Sequence, residues 1–228
     1  MRRKMQNIQG AIFDMDGTLI DSLMLWEMLW KRFGEIYLNG DAFAPPAEVD
    51  KAIRTMPLRE AMEYLHENCG IGEDGEALFS IVIEVFHNFY KYEVQLKKGV
   101  KEFLEDCSGK GIPMCIASAT DPELVVSALK HCGIEHYFKK ICSCADLGKG
   151  KECPDIYMMA RECLGTPLEE TWVFEDAGLA LTTASAAGFP TVGIYDAHNY
   201  GQDIVKDKAT IYIGEGETLV KLIDPAEK

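Results

Sequence analysis

No stretch of this 228-residue sequence approaches the roughly 20 consecutive apolar residues that a membrane-spanning helix requires, so no helical membrane span is expected. Basic side chains are in the minority: 23 Lys and Arg stand against 37 Asp and Glu, a formal net charge of −14. A surface that negative repels nucleic-acid phosphates and anionic lipid, which excludes both as expected partners. Internal repeats and low-complexity tracts are absent, so repeat architectures and disordered chains are set aside. Arg2, Arg3 and Lys4 open the chain, but the apolar residues that follow alternate with polar ones and run into Asp14 and Asp16. No signal-peptide core forms there, and the cytoplasm is the expected location. A second cysteine pair at zinc spacing is missing too. Of the eight cysteines, Cys69, Cys107, Cys132 and Cys163 fall on or at the ends of expected helices, while Cys115, Cys142 and Cys144 sit in apolar runs. They read as small buried hydrophobes rather than as a disulfide framework or a metal site.

What is present is 47% hydrophobic residues, enough for one substantial core and a smaller second one. Apolar runs with β character occur at residues 8–13, 112–118, 140–144, 171–174, 191–195 and 210–213. Helical patterns separate most of them. Over 99–111, Val100, Phe103, Leu104 and Cys107 recur at i, i+3, i+4 and i+7 before a terminating glycine. Over 121–133, Asp121 is placed to cap, Pro122 occupies the first helical position and Gly133 is the stop. A third helix is expected over 177–188. Strands alternating with helices of this length build a parallel sheet covered on both faces. The alternation fails between residues 21 and 92, where only helical patterns appear, at 22–33, 57–69 and 76–92, broken by a loop at 39–46 and a turn at 70–75. The expected fold is therefore α/β. Its parallel-sheet core is built from 1–20 and 94–228, with an all-helical insertion over 21–93.

The chemistry-bearing residues stand at strand ends, where open parallel sheets bind ligands. The first run ends in Ile12-Phe13-Asp14-Met15-Asp16-Gly17-Thr18, two carboxylates one residue apart before a glycine turn that lets both approach one substrate atom. The second ends in Ser118-Ala119-Thr120, whose hydroxyls and amides suit a phosphate oxygen and would serve equally as a helix cap. Lys151, in Lys151-Glu152-Cys153-Pro154-Asp155, supplies a positive charge just before a helix; alone it would read as solvated surface. The run Thr171-Trp172-Val173-Phe174 ends in Glu175-Asp176, and clustered acids call for protons or a cation. A hard dication such as Mg2+ takes oxygen ligands of this kind and retains some waters and a substrate phosphate.

Taken in order, Asp14-x-Asp16-Gly17-Thr18, Ser118, Lys151-x-x-Pro154-Asp155 and Glu175-Asp176 resemble the haloacid dehalogenase superfamily. The helical insertion after the first motif and the Glu-Asp pair resemble its β-phosphoglucomutase-like phosphatase branch. The resemblance implies a Rossmann-like core, a four-helix cap, Mg2+ and an aspartyl-phosphate intermediate. It implies Asp14 as nucleophile and Asp16 as general acid and base whose backbone carbonyl also faces the metal. Ser118 would hold a phosphoryl oxygen with help from Thr18 and the amides near Ala119, and Lys151 would neutralise charge on Asp14 and the phosphoryl group. Asp176 would ligate the metal, with Glu175 beside it.

The chain departs from the pattern in several places. Ala177 and Ala180 stand where a serine and another small residue are usual. Trp26 stands near the position where the sugar-phosphate mutases carry a histidine. The segment Thr55-Met56-Pro57 lacks an expected glycine, with Arg54 and Arg59 nearby as candidate substrate contacts. These departures favour hydrolysis of a small phosphate ester over intramolecular phosphoryl transfer; the sequence leaves the oligomeric state open, with a monomer the default expectation. A sugar phosphomutase and a non-catalytic phosphate-binding protein are the alternative readings.

Overall fold

Four of the six strands among the described residues are buried along their whole length, the mark of a sheet covered on both faces. The computed structural model describes residue 5, residues 7–54 and residues 56–223. The strands are β1 (Gly10–Phe13), β2 (Met114–Ser118), β3 (Phe138–Ser143), β4 (Thr171–Glu175), β5 (Thr191–Ile194) and β6 (Ile211–Ile213). They form one sheet in the order β3-β2-β1-β4-β5-β6, every neighbouring pair parallel. This is a Rossmann-like α/β sheet: the chain builds outward from β1 to β3, then returns to β4 on the other side of β1. Ligands bind at such reversals, beyond the carboxyl ends of the strands.

Among the described residues the chain divides into two units, Met24–Glu93 and the remainder. The first unit is helical: α1 (Leu25–Tyr37), α2 (Ala47–Ile53), α3 (Leu58–Cys69) and α4 (Gly75–Tyr92). Leu29, Phe33, Met62, Leu65, Leu78 and Val82 lead its core. Phe43, on the loop after α1, packs edge-on against Trp30 with ring centroids 5.9 Å apart. Gly34 makes that return possible, because a Cβ there would lie 2.3 Å from the Asp41 carbonyl oxygen. Helix α3 ends on Gly70 at φ 63°, and Asp74 caps α4 by accepting from the Ala77 amide at 2.7 Å.

The second unit carries α5 (Val100–Gly109), α6 (Pro122–His131), α7 (Cys144–Leu147), α8 (Asp155–Leu164), α9 (Gly178–Ala186) and α10 (Gln202–Lys208) on the sheet. Its two faces follow from strand alternation. Ile12, paired in register with Cys115 and Val173, packs with Tyr157, Ala160 and Leu164 of α8. Phe13, opposite Phe174, faces the other way and stacks on it at 4.4 Å, with Phe103 of α5 5.4 Å from Phe174.

Local chemistry shifts several expected boundaries. Cys144 is not strand: the Ser143 hydroxyl accepts from the Ala145 amide at 3.1 Å and starts α7 there. Helix α1 begins at Leu25 rather than at Ser22, whose hydroxyl donates to Asp16 at 2.7 Å. The first strand opens at Gly10, not at residue 8. Helices α2 and α10, seven residues each, carry too few turns for their apolar spacing to register in the sequence. No described helix is long and apolar enough to cross a membrane.

All eight cysteines are free thiols. Burial pushes Cys107 and Cys142 up to about 12 and Cys115 up to about 11, against an ordinary value of 9.0. Unfolding lets these thiols ionise from about pH 9, while in the folded chain they stay neutral to about 11 or 12. Their contribution is therefore complete below pH 9 and is lost as pH rises through that window, at about 1.4 kcal/mol per pH unit for each thiol. Urea midpoints should fall above pH 9, and iodoacetamide at pH 8 should label these three only after denaturant is added; rapid labelling of all three in the native protein would contradict the burial.

Candidate active site

The site begins where β1 stops. The Asp14 amide still donates to the Phe174 carbonyl at 2.9 Å, so the residue is held in the sheet frame with only 6% of its surface exposed. The chain then curls. The Met15 carbonyl accepts from Leu19 at 2.9 Å and from Ile20 at 3.1 Å, and Gly17 donates to the Ile20 carbonyl at 3.0 Å. Gly17 adopts φ +77°, and a Cβ on it would lie 2.3 Å from Asp176 Oδ2, so both the turn and its packing require glycine. The two aspartates have different partners. The Asp16 carboxylate accepts from Ser22 Oγ at 2.7 Å and from Thr120 Oγ1 at 2.8 Å.

Two neighbouring strands bring in the remaining groups. At the end of β2, the buried Ser118 hydroxyl accepts from the Thr120 amide at 3.0 Å, and Ala119 stands exposed at the same turn. At the end of β4, Glu175 is fully buried and Asp176 nearly so. Lys151, from the segment ahead of α8, reaches both strands: its ammonium pairs with Asp14 Oδ1 and lies 2.6 Å from Glu175 Oε1. Lys149, two residues earlier, instead pairs with Asp155 at 2.7 Å on the surface. Tyr157 donates to Glu175 Oε1 at 2.9 Å. Thr18 donates to Asp176 Oδ1 at 3.1 Å, so its hydroxyl is directed at a carboxylate.

Asp14, Glu175 and Asp176 offer one oxygen each within 4.8 Å of one another, all buried. Lys151 pairs with two of the three carboxylates, Asp14 and Glu175, and burial together with the clustered charge shapes how the cluster titrates. Burial pulls the Lys151 pKa down, but Asp14 and Glu175 outweigh it and the net value is raised. Burial pushes Glu175 up to about 7 although Lys151 opposes the shift. Asp176 is raised well above the ordinary carboxylate range by burial and then by the charges of Asp14 and Glu175. A divalent cation would relieve this crowding of charge, and three carboxylate oxygens are ligands of the kind Mg2+ takes. The residues present therefore fit the metal.

Trp26 and Arg54 belong to the helical unit. Arg54 forms a two-pronged pair with Asp50, at 2.9 and 3.2 Å, and its guanidinium lies 5.4 Å from the Trp26 ring centroid. Arg59 pairs with Glu76 and stacks over Phe79 at 4.1 Å. Thr55 lies outside the described residues.

Several contributors to the site carried no sequence signal. Asn199 donates to Asp176 Oδ2 at 2.6 Å from the loop after β5, where no motif marks it. Tyr157 reads as one apolar helix position among others. Ser22 looks like a helix start.

A family model of haloacid dehalogenase-like hydrolases matches residues 11–194. The phosphorylated carbohydrates phosphatase of Thermotoga maritima is 27% identical over 213 residues, 93% of this chain and 97% of its own length. The fructose-1-phosphate phosphatase YqaB of Escherichia coli is 25% identical over 196 residues, 81% of this chain and 95% of its own. Among solved structures, CbbY from Rhodobacter sphaeroides in complex with phosphate superposes with a TM-score of 0.73 at 20% identity, covering 90% of this chain and 93% of that one. By the extent of the family match and the arrangement of its strand-end carboxylates, the chain belongs to the haloacid dehalogenase-like hydrolases.

Proposed function

We propose that this chain is a Mg2+-dependent phosphatase that hydrolyses a small phosphate monoester, with phosphorylated sugars as the substrate class, through an aspartyl-phosphate on Asp14. The observation that carries the reading is the convergence of Asp14, Lys151, Glu175 and Asp176 from separate segments into one buried cluster. The names of the Thermotoga and Escherichia relatives support a sugar phosphate as substrate.

In this reading a carboxylate oxygen of Asp14 attacks phosphorus as the ester P–O bond breaks, and the leaving oxygen takes a proton from Asp16. A water molecule then attacks the phosphoryl group while Asp16 takes back the proton, releasing inorganic phosphate and free Asp14. Ser22 and Thr120 orient the Asp16 carboxylate. Lys151 spreads positive charge over Asp14 and the transferring group, and Ser118 with the turn at Ala119 receives phosphoryl oxygens. Asp14, Asp176, the Asp16 carbonyl and, directly or through water, Glu175 would hold Mg2+, which when bound neutralises charge on the phosphoryl oxygens. Thr18 acts through Asp176. The helical unit is assigned the role of specificity cap, with Trp26 and Arg54 meeting the organic part of the ester. The cytoplasm is the proposed location.

Purified protein should release phosphate from members of a sugar-phosphate panel with Mg2+ present, lose that activity in EDTA and regain it when Mg2+ is restored, without forming isomeric sugar phosphates. Inactivity across the whole panel with Mg2+ present would contradict the reading, and isomer exchange primed by a bisphosphate would replace hydrolysis with a mutase.

A further inference from the structure

Asp176 is held from two sides by groups that lie far from it in sequence. Thr18 donates to one carboxylate oxygen at 3.1 Å, and the Asn199 amide donates to the other at 2.6 Å and to the Asp176 main-chain carbonyl at 3.0 Å. Neither donor carries a charge, so together they aim the carboxylate without neutralising it.

The two donors are themselves tied together. Lys97 places its ammonium 2.7 Å from the Gly17 carbonyl, 3.2 Å from the Tyr195 carbonyl and 2.5 Å from Asp196 Oδ2, three acceptors for its three protons. The other Asp196 oxygen accepts from the His198 amide at 2.8 Å, and the Asn199 main-chain amide donates to the Asp196 carbonyl at 3.3 Å. Asp196 is 3% exposed and the Lys97 side chain 19%. A closed circuit results: Gly17 and Thr18 on one side, the 195–199 loop on the other, Lys97 and Asp196 bridging them, and Asp176 gripped between. The contact that a Cβ on Gly17 would make with Asp176 Oδ2 shows how tightly the turn seats against this carboxylate.

We infer that Asn199 and Thr18 are positioning residues that present Asp176 to the divalent cation, and that Lys97 with Asp196 is the strut fixing their spacing. This inference rests on the proposed function, through the metal. Groups that orient a metal-binding side chain change metal affinity by about 10- to 100-fold when removed. Lys97 distinguishes positioning from charge. As a mere nearby cation it repels a metal ion, and its loss tightens binding; as a strut its loss weakens binding.

The test is isothermal titration of MgCl2, without substrate, into the wild-type chain and the variants Asn199→Ala, Thr18→Val and Lys97→Met, with melting temperatures in EDTA as the fold control. Asn199→Ala and Thr18→Val should each weaken Mg2+ binding by about 10- to 100-fold. Their melting in EDTA should stay near wild type, and kcat should largely recover at saturating Mg2+. Lys97→Met should weaken binding as well. A folded Asn199→Ala protein with wild-type Mg2+ affinity overturns the inference, and tighter binding by Lys97→Met overturns the strut. If Lys97→Met does not fold, Asn199→Ala decides alone. Failure of the wild-type chain to bind Mg2+ would sink the proposed function itself, a result distinct from either.

Discussion

Replacing Asp14 with asparagine is expected to lower kcat on the order of 10⁴-fold or more while leaving the fold intact, because an amide of the same shape cannot attack phosphorus. The substituted side chain would fill the same 6%-exposed position at the end of β1, and the main-chain bond to Phe174 would be kept. The change removes one of the two carboxylates that pair with the Lys151 ammonium, and Glu175, 2.6 Å away, still pairs with that group. Melting in EDTA should therefore stay within a few degrees of wild type or rise. Steady-state kinetics beside thermal melting of both proteins checks the split. A variant retaining a tenth of the activity would remove Asp14 from the role of nucleophile.

Lys151→Met is the substitution expected to damage both chemistry and stability. The Lys151 side chain is 11% exposed and Glu175 is fully buried, so the variant leaves Glu175, Asp14 and Asp176 clustered and buried without their cation. Removing one partner of a buried ion pair costs about 3–5 kcal/mol, where deleting the pair together costs far less. For a chain of this size each kcal/mol lowers the melting temperature by about 2–4 °C, so a drop of roughly 10 °C is expected in EDTA. Mg2+ should restore part of it, since a ligand at a hundred times its Kd stabilises the state it binds by about 2.7 kcal/mol. Loss of kcat should be on the order of 10²- to 10³-fold, the scale for removing one preorganised charge from a reacting centre. Lys149→Met is the control. Its exposed pair with Asp155 lies apart from the cluster, so kcat and melting should match wild type. Equal effects of the two substitutions would mean that Lys151 has no special place in the site.

The residues legible in the sequence are those at which an apolar run stops abruptly in a charge or a hydroxyl. Asp14 and Asp16 after Phe13, Glu175 and Asp176 after Phe174, and Ser118 after Ala117 follow that rule, because a parallel strand must be apolar while buried and its carboxyl end faces ligand. Lys151 differs from the neighbouring Lys149 in its spacing from Pro154 and Asp155, and the fold sends the one side chain to Asp14 and the other to a surface carboxylate. What stayed hidden depends on tertiary closure. Thr18 reads as a phosphate contact until the fold brings Asp176, 158 residues away, within 3.1 Å of its hydroxyl. Asn199 sits in a loop without periodicity, and nothing local pairs it with Asp176. The boundary errors have the same cause: Ser22 and Ser143 both carry helix-start chemistry, but Ser22 is drawn to Asp16 while Ser143 ends a strand and caps α7.

The most direct test is acid quenching of the enzyme during turnover with Mg2+ and p-nitrophenyl phosphate, followed by mass spectrometry of the peptide containing residue 14. A phosphoryl adduct on Asp14, absent from the Asp14→Asn variant, is the predicted result. Sustained phosphate release with that peptide unmodified, and with the Asp14→Asn variant still active, would contradict the account.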